Sequence, residues 1–201
     1  MKLLLFSDLH CDAGAARKLV ERARSADLVV GAGDFATVRH GLATTIDVLR
    51  AIERPAIVVP GNGESFAELE AACRSWPSVR VLHGTGAAID GVEIYGLGGG
   101  VPVTPFGDWS WDFSEEQAAE LLAACPERAV LVSHSPPKGA ADLSSAGRSF
   151  GSTAVREAVE AKRPRLVVCG HIHESWGRQE RIGDTLVVNA GPRGVEVELP
   201  C

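Results

Sequence analysis

Apolar residues fall along this chain in short runs, and five of the runs stop directly before polar residues or glycine. These runs occupy residues 3–6, 28–30, 57–59, 130–132 and 166–168. Short, continuous apolar runs that end in this way predict strands buried on both faces of a sheet. Because ligands gather at the carboxyl ends of such strands in α/β proteins, the residues directly after the runs are candidates for function.

Helices are predicted between these strands. Residues 13–24 and 38–54 carry apolar side chains at helical spacing. A third helix is expected after Gly63, where Ser65 and Glu68 are placed as a capping box. Further helices are predicted at residues 114–125 and 152–162, and two more strands within residues 185–199. The alternation of strands and helices in the first third predicts a parallel sheet with helices on its faces.

The middle of the chain has a different pattern. Residues 79–82 and 92–95 are predicted to be short strands, and the glycines between them favour a hairpin. Residues 96–112 form a long glycine-rich segment that contains Trp109 and Trp111. Long loops of this kind are often functional.

The composition, with 45% hydrophobic and 23% charged residues, is that of a globular protein. At 201 residues we expect one domain spanning residues 1–201. The chain has no stretch of about 18 apolar residues, so no membrane span is predicted. The net charge of −6 argues against a general nucleic-acid binder. The five cysteines are scattered and odd in number, which favours a reducing cytoplasm over a disulfide framework.

The polar residues after the five runs are of types that bind metal ions. Asp8 and His10 are two residues apart, so on an extended chain both side chains point to one face, and His171 and His173 repeat this spacing. The candidate ligands are Asp8, His10, Asp34, Asn62, His134, His171 and His173. This set is too large for one ion that must also bind a substrate. It suits two ions that share a carboxylate, which is typical of phosphoester chemistry.

The order of these motifs is also specific. Asp-x-His, Gly-Asp, Gly-Asn, His and Gly-His-x-His follow one another, with Ser-His-Ser-Pro-Pro at residues 133–137 and Asn-Ala-Gly at residues 189–191. In this order the chain resembles the calcineurin-like metallophosphoesterases, and the resemblance covers residues 7–191. It implies an α/β fold, a two-sheet mixed β-sandwich flanked by helices. It also implies hydrolysis of phosphate esters through a binuclear centre and a bridging hydroxide.

The resemblance implies how two divalent metal ions share the ligands. One ion is expected to bind Asp8, His10, Asp34 and His173. The other is expected to bind Asp34, Asn62, His134 and His171, so that Asp34 bridges the two. Each ion then has four protein ligands and accepts more from water and phosphate. This number favours manganese or iron, with zinc as the alternative, because structural zinc prefers four ligands.

One position departs from the pattern of the family. Members usually have a histidine after Gly-Asn, thought to protonate the leaving group, whereas this chain has Gly63 followed by Glu64. General acid catalysis typically contributes about 10²–10⁴-fold. No catalytic acid is therefore assigned, and His83, Glu64 or a water molecule are left as alternatives. We expect a slower or more selective enzyme that favours esters with acidic leaving groups.

The expected substrate is a small phosphodiester or nucleotide. Asn62, Trp109 and Trp111 are predicted to contact it, with the two tryptophans as a wall on which a nucleobase or aryl group stacks. Packing of these rings against the core is the alternative interpretation. A phosphomonoesterase or protein phosphatase is the alternative within the enzyme class. Outside that class, the alternative is a non-catalytic scaffold that keeps the fold. The sequence does not indicate the oligomeric state.

Overall fold

The computed structural model describes residues 1–200, which form two stacked sheets with helices on the outer faces. The strands are β1 Lys2–Phe6, β2 Leu28–Ala32, β3 Ala56–Val59, β4 Val79–Val81, β5 Thr85–Ile89, β6 Val92–Leu97, β7 Val130–Ser133, β8 Leu166–Cys169, β9 Gln179–Ile182, β10 Thr185–Asn189 and β11 Val195–Glu198. The helices are α1 Ala13–Ala23, α2 Leu42–Leu49, α3 Phe66–Cys73, α4 Glu115–Leu122 and α5 Thr153–Lys162, and a 3₁₀ turn covers His173–Ser175.

Both sheets are mixed. The first has the strand order β11-β1-β2-β3-β4, in which β1 to β4 are parallel and β11 is antiparallel to β1. The second has the order β5-β6-β7-β8-β10-β9, with parallel central strands and an antiparallel strand at each edge. The predicted α/β fold, a two-sheet mixed sandwich flanked by helices, is therefore confirmed.

The continuous apolar runs exist because each central strand is buried on both faces. In β1, Leu3 and Leu5 pack into the core between the sheets, whereas Leu4 and Phe6 pack under the helices of the first sheet. Successive side chains of a strand point to opposite faces, so a strand covered on both sides has no polar position. Full burial of one such side chain contributes roughly 1.5–3 kcal/mol.

The second helix is shorter than predicted. It begins at Leu42 instead of residue 38, because Val38 and Arg39 have left-handed backbones with φ of 47° and 66°. Gly41, at φ 79°, precedes the helix. His40, which the longer helix would have included, lies exposed in the turn and pairs with Thr37.

The strand pairing in the middle of the chain also differs from the prediction. Strand β4 does not pair with β6; it joins β3 in the first sheet, and the hairpin consists of β5 and β6. Strand β5 was missed because its sequence, Thr-Gly-Ala-Ala-Ile, has little apolar alternation. Strand β9 was missed because it is a largely exposed edge strand. The two predicted tail strands, β10 and β11, exist but lie in different sheets.

Within residues 1–200, no helix has the length and apolarity needed to cross a membrane. The four cysteines that the structure describes, Cys11, Cys73, Cys125 and Cys169, are all free thiols.

Candidate metal centre

The loops after five strands meet at one end of the sandwich. Those after β1 and β2 run side by side, because the Asp8 N–H donates to the Gly33 carbonyl (2.9 Å) and the His10 N–H donates to the Asp34 carbonyl (2.9 Å). The second sheet joins them where the His171 N–H donates to Asp8 Oδ1 (3.0 Å). The candidate ligands therefore lie together at strand ends, but the ends belong to two sheets.

Several candidate ligands have strained backbones. Asp8, His10, Asp34 and His171 have φ values of 53°, 43°, 57° and 66°. Such left-handed conformations are uncommon for residues other than glycine, and each costs on the order of 1–3 kcal/mol. Strain of this kind persists only where the surrounding structure imposes it, and it clusters at functional sites. The concentration of strained backbones among the candidate ligands indicates that the functional site lies at the strand ends.

Glycines allow the loops to approach one another closely. Gly33 has φ 91°, and a Cβ on it would collide with the backbone of Gly61 and the ring of His134. Gly61 has no unusual φ, but a Cβ there would collide with the Asp34 carboxylate. Glycine is therefore required at both positions by lack of space, and at Gly33 also by the backbone conformation.

A first group of side chains, which we call the open position, consists of Asp8, His10 and His173. One potential ligand atom from each lies within 4.8 Å of the others. The Nε2 atoms of His10 and His173 are 3.1 Å apart, and His173 Nε2 is 3.8 Å from Asp8 Oδ1. Both imidazoles reach solvent, with side-chain exposures of 31% for His10 and 47% for His173.

A second group, which we call the buried position, consists of Asp34, Asn62 and His134. His134 Nε2 lies 3.1 Å from Asn62 Oδ1 and 3.5 Å from Asp34 Oδ1. The His134 side chain is 0% exposed. The ring of His171 packs edge-on against His134 with centroids 4.9 Å apart. Asp8 also lies within reach of this group, since its carboxylate is within 4.8 Å of ligand atoms of Asp34 and His134.

Asp34 faces both positions. Its Oδ1 is 3.5 Å from His134 Nε2, and its Oδ2 is 3.5 Å from His10 Nε2. Each carboxylate oxygen therefore points to a different imidazole, one at the buried position and one at the open position. This is the arrangement that a carboxylate shared by two cations requires.

The donor set fits divalent cations. His134 Nδ1 lies 2.7 Å from the Ala32 carbonyl and His10 Nδ1 lies 3.2 Å from the Ala36 carbonyl, so in each ring Nδ1 carries the hydrogen and Nε2 presents a lone pair. The lone pair of His134 Nε2 faces an acceptor, Asn62 Oδ1, and that of His10 Nε2 faces His173 Nε2. Acceptors at such distances repel each other unless a proton or a cation lies between them.

The charges at the centre are coupled. Burial alone would raise the pKa of Asp34, but the neighbouring His134 and His10 bring it below its ordinary value. Burial would lower the pKa of His134, but the carboxylates of Asp34 and Asp8 raise it. Burial and the charge of His134 lower the pKa of His171 to about 3, so His171 is neutral. The carboxylates thus favour positive charge at the centre, which a bound cation would supply.

Sequence reasoning missed Ser7 and Trp176. Both donate to Asp8 Oδ2, the Ser7 hydroxyl at 2.5 Å and the Trp176 indole N–H at 3.1 Å. The Trp176 ring also packs on His173 with centroids 4.5 Å apart. Trp176 lies three residues after His173, and the 3₁₀ turn at this point brings the two side chains together. A helical turn after the last motif was the signal that could have revealed it.

Glu64 stabilises the loops of the centre through hydrogen bonds to the backbone. Its carboxylate is 1% exposed and accepts backbone N–H groups from Gly61 (2.7 Å), Ala36 (2.8 Å) and Phe35 (3.3 Å). Burial and the nearby Asp34 charge raise the pKa of Glu64 to about 7. The side chain ties the loop after β2 to the loop after β3, and its oxygens are engaged there instead of facing a substrate.

His83 lies in an aromatic cluster. Its Nδ1 accepts the Gly98 N–H (3.1 Å), and its ring packs against Phe66, Trp111 and Phe113 at centroid distances of 6.1, 4.8 and 4.9 Å. Burial lowers the pKa of His83. Packing in this cluster explains the position of the His83 ring, and none of these contacts joins it to the candidate ligands.

The two tryptophans of the long loop have different surroundings. Trp111 adjoins the centre, because its backbone N–H donates to the Asn62 carbonyl (3.0 Å). Trp109 stacks on Phe106 with ring centroids 5.6 Å apart and an interplanar angle of 11°. Phe106 is 51% exposed, so this stacked pair lies at the surface.

Comparison with known proteins identifies the class. A profile of the calcineurin-like phosphoesterase superfamily domain matches residues 1–198. The chain belongs to this superfamily, and it is a metal-binding hydrolase that acts on phosphate esters. No curated protein sequence matches it significantly.

Solved structures share the fold at low sequence identity. The protein TT1561 from Thermus thermophilus is 20% identical with a TM-score of 0.76, and the match covers 94% of this chain and 88% of that one. An archaeal phosphodiesterase is 17% identical with a TM-score of 0.57, covering 95% and 84%. A dimetal phosphatase from Danio rerio is 14% identical with a TM-score of 0.62, covering 95% and 87%. At these identities the likeness establishes the architecture alone.

Proposed function

We propose that the protein hydrolyses small phosphodiesters or nucleotides with two divalent metal ions, one at the open position and one at the buried position. The observation that carries this proposal is the orientation of Asp34, whose two oxygens face separate imidazoles. His171, neutral and packed against His134, completes the buried position. Ions of this kind polarise a phosphate, activate water and clamp an in-line displacement. We favour manganese or iron, with zinc as the alternative.

The residues after Asn62 include no histidine that could donate a proton to the leaving group, and this distinguishes the proposed reaction from that of relatives that have one. Position 63 is glycine and offers no proton, and the Glu64 carboxylate is held by three backbone N–H groups. Solvent must then protonate the leaving group. Esters whose leaving groups need no protonation, such as nitrophenyl esters, are the expected good substrates.

The aromatic loop is the proposed substrate wall. Trp111 is joined to Asn62 through the backbone, and the Trp109–Phe106 pair is the exposed continuation of the same loop. An aryl or nucleobase group can stack on such rings, which contributes roughly 1–3 kcal/mol per base. A Trp109→Ala change is expected to raise KM for a nucleotide substrate and to leave KM for a methyl phosphodiester unchanged.

The test combines metal analysis with hydrolysis. Purified protein is stripped of metal, reloaded with Mn²⁺, and assayed on bis-nitrophenyl phosphate and nitrophenyl phosphate. We expect two ions per chain and faster turnover of the diester. Faster turnover of the monoester would favour the phosphomonoesterase alternative. Protein that binds no divalent ion and hydrolyses neither ester would refute the proposal and favour the scaffold.

The proposed setting is a reducing cytoplasm. The four described cysteines are free, and three of them, Cys73, Cys125 and Cys169, have raised thiol pKa values because they are buried. Buried thiols of this kind are inert packing residues in a reduced protein. Detection of the native protein in the cytosolic fraction, with all thiols reduced, tests the setting.

A further inference from the structure

A chain of hydrogen bonds leads from the buried position into the aromatic loop. The Asn62 side-chain NH₂ donates to Ser110 Oγ (2.9 Å), and the Ser110 hydroxyl donates to Asp112 Oδ1 (2.8 Å). The other oxygen of Asp112 accepts the Thr104 hydroxyl (2.6 Å) and the Thr104 backbone N–H (2.9 Å). We propose that Asp112, acting through Ser110, is a positioning group that makes the Asn62 amide present its oxygen to the buried position.

The number of available hydrogens determines which atoms donate and which accept in this series of hydrogen bonds. A hydroxyl has one hydrogen, and a carboxylate has none. Thr104 Oγ1 is 3.0 Å from Ser110 Oγ, but its hydrogen goes to the closer Asp112 oxygen. The Ser110 hydrogen goes to the other Asp112 oxygen, so Ser110 is left only with lone pairs toward Asn62.

The consequence falls on the amide of Asn62. An amide side chain has two ends of nearly equal shape, and only the oxygen binds a cation. Because Ser110 can only accept, the NH₂ end must face Ser110, and the oxygen faces His134 Nε2 at 3.1 Å. Without the carboxylate, the Ser110 hydroxyl is free to turn and donate to Asn62, which permits the reversed amide.

The position of Asn62 is fixed by its surroundings, so the neighbouring groups determine only how its side-chain amide is rotated. The Trp111 N–H holds the Asn62 carbonyl, and the side chain of Asn62 is buried. Asp112 is itself held, since Gly100 and Asp112 form a bridge and the Phe113 N–H donates to the Gly100 carbonyl (2.8 Å). The long loop is therefore part of the metal centre as well as the proposed substrate wall. Hydrogen-bond partners of ligands typically change metal affinity by about 10–100-fold.

The inference rests on the proposed role of Asn62 as a ligand, so two readouts are needed. The first is calorimetric titration of metal-free protein with Mn²⁺. In Asp112→Asn we expect one ion to bind as in the wild type and the other to bind about 10–100-fold more weakly. Asp108→Asn, an exposed change in the same loop, serves as the control and should bind both ions normally. Ser110→Thr keeps the hydroxyl and should retain most of the affinity, whereas Ser110→Ala should not.

The second readout needs no metal. The Asn62 side-chain NH₂ resonances of the metal-free protein, assigned by their loss in Asn62→Ala, should shift in Asp112→Asn and not in Asp108→Asn. Wild-type affinity for both ions, or unshifted Asn62 resonances, in Asp112→Asn would overturn the positioning role. Failure of the wild-type protein to bind two ions would refute the proposed function, and the resonances would still decide how Asn62 is oriented.

Discussion

The open and buried positions differ in how firmly the protein holds their side chains. At the open position, His10 and His173 are 31% and 47% exposed; His10 Nδ1 lies 3.2 Å from the Ala36 carbonyl, the Trp176 ring packs on His173, and Ser7 and Trp176 hold Asp8. At the buried position, His134 is fully enclosed and fixed by the Ala32 carbonyl. Under the proposed two-ion function, we expect an ion at the buried position to be retained and an ion at the open position to meet solvent and substrate.

The difference follows from where the loops come from. The buried position lies where the loops after β2, β3 and β7 cross between the two sheets, and Glu64 locks two of these loops together. The open position lies at the outer side, where His173 begins a short 3₁₀ turn. Groups held in place before binding lose less conformational entropy when the ion arrives, so we expect the buried position to bind more tightly.

The largest predicted effect comes from the carboxylate that joins the two positions. Asp34→Asn leaves one oxygen and removes the shared negative charge, so both ions should be weakened together. We expect a loss of kcat/KM of about a thousand-fold or more, which corresponds to about 4 kcal/mol of transition-state stabilisation. The measurement is steady-state kinetics with metal analysis on the same sample.

Asp47→Asn is the matched control for this change, because Asp47 lies exposed on α2 and makes only a local ion pair with Arg50. Its activity should equal that of the wild type. An Asp34→Asn protein that retains two ions at wild-type affinity would show that the positions are independent.

The next prediction tests a residue that holds the loops of the buried position together and is not itself a candidate ligand. Glu64→Gln keeps the shape of the side chain but places an NH₂ group against backbone N–H groups that the carboxylate accepts. Because its pKa is raised to about 7, ionised Glu64 is disfavoured in the folded protein, and wild-type stability falls as the pH rises through 7. We therefore expect the variant's loss of about 1–3 kcal/mol in the free energy of unfolding below that pH. Denaturant unfolding measures it, with the exposed change Glu53→Gln as the control. Unchanged stability would mean that Glu64 does not lock the loops.

The sequence located the candidate ligands better than the groups that support them. Asp8 and His10, like His171 and His173, follow strands directly, and strand ends can be read from apolar runs. Ser110 acts through side-chain geometry that no spacing encodes, and Trp176 could have been found only from the helical turn after the last motif. Strand β5 was missed because its sequence has little apolar alternation, and the partner of β4 was missed because pairing between distant segments is decided by how the two sheets stack. Local patterns therefore located the candidate ligands, whereas tertiary contacts determine which groups hold them in place.

A gain of function tests whether the chain lacks an acid. Gly63→His should raise turnover of alkyl phosphodiesters by about a hundred-fold relative to Gly63→Ala, with little change for nitrophenyl esters. The alanine variant is the required control, because a Cβ at position 63 lies 3.2 Å from both Asp34 Oδ1 and the Ala36 carbonyl. Any cost of this tight contact is common to both variants and cancels in the ratio. Equal rates for the two variants on alkyl esters would count against the missing-acid account.

The smallest predicted effect concerns the support of the open position. Trp176→Phe keeps a ring against His173 but removes the indole N–H that donates to Asp8 Oδ2. We expect about a ten-fold loss of affinity for the ion at the open position and no change at the buried position, because Asp8 keeps its bonds from Ser7 and His171. Calorimetric titration with Mn²⁺ resolves the two events, and Trp109→Phe, a change away from Asp8, is the control. Equal weakening of both ions would contradict the division into an open and a buried position, because it would mean that Asp8 couples them as strongly as Asp34 does.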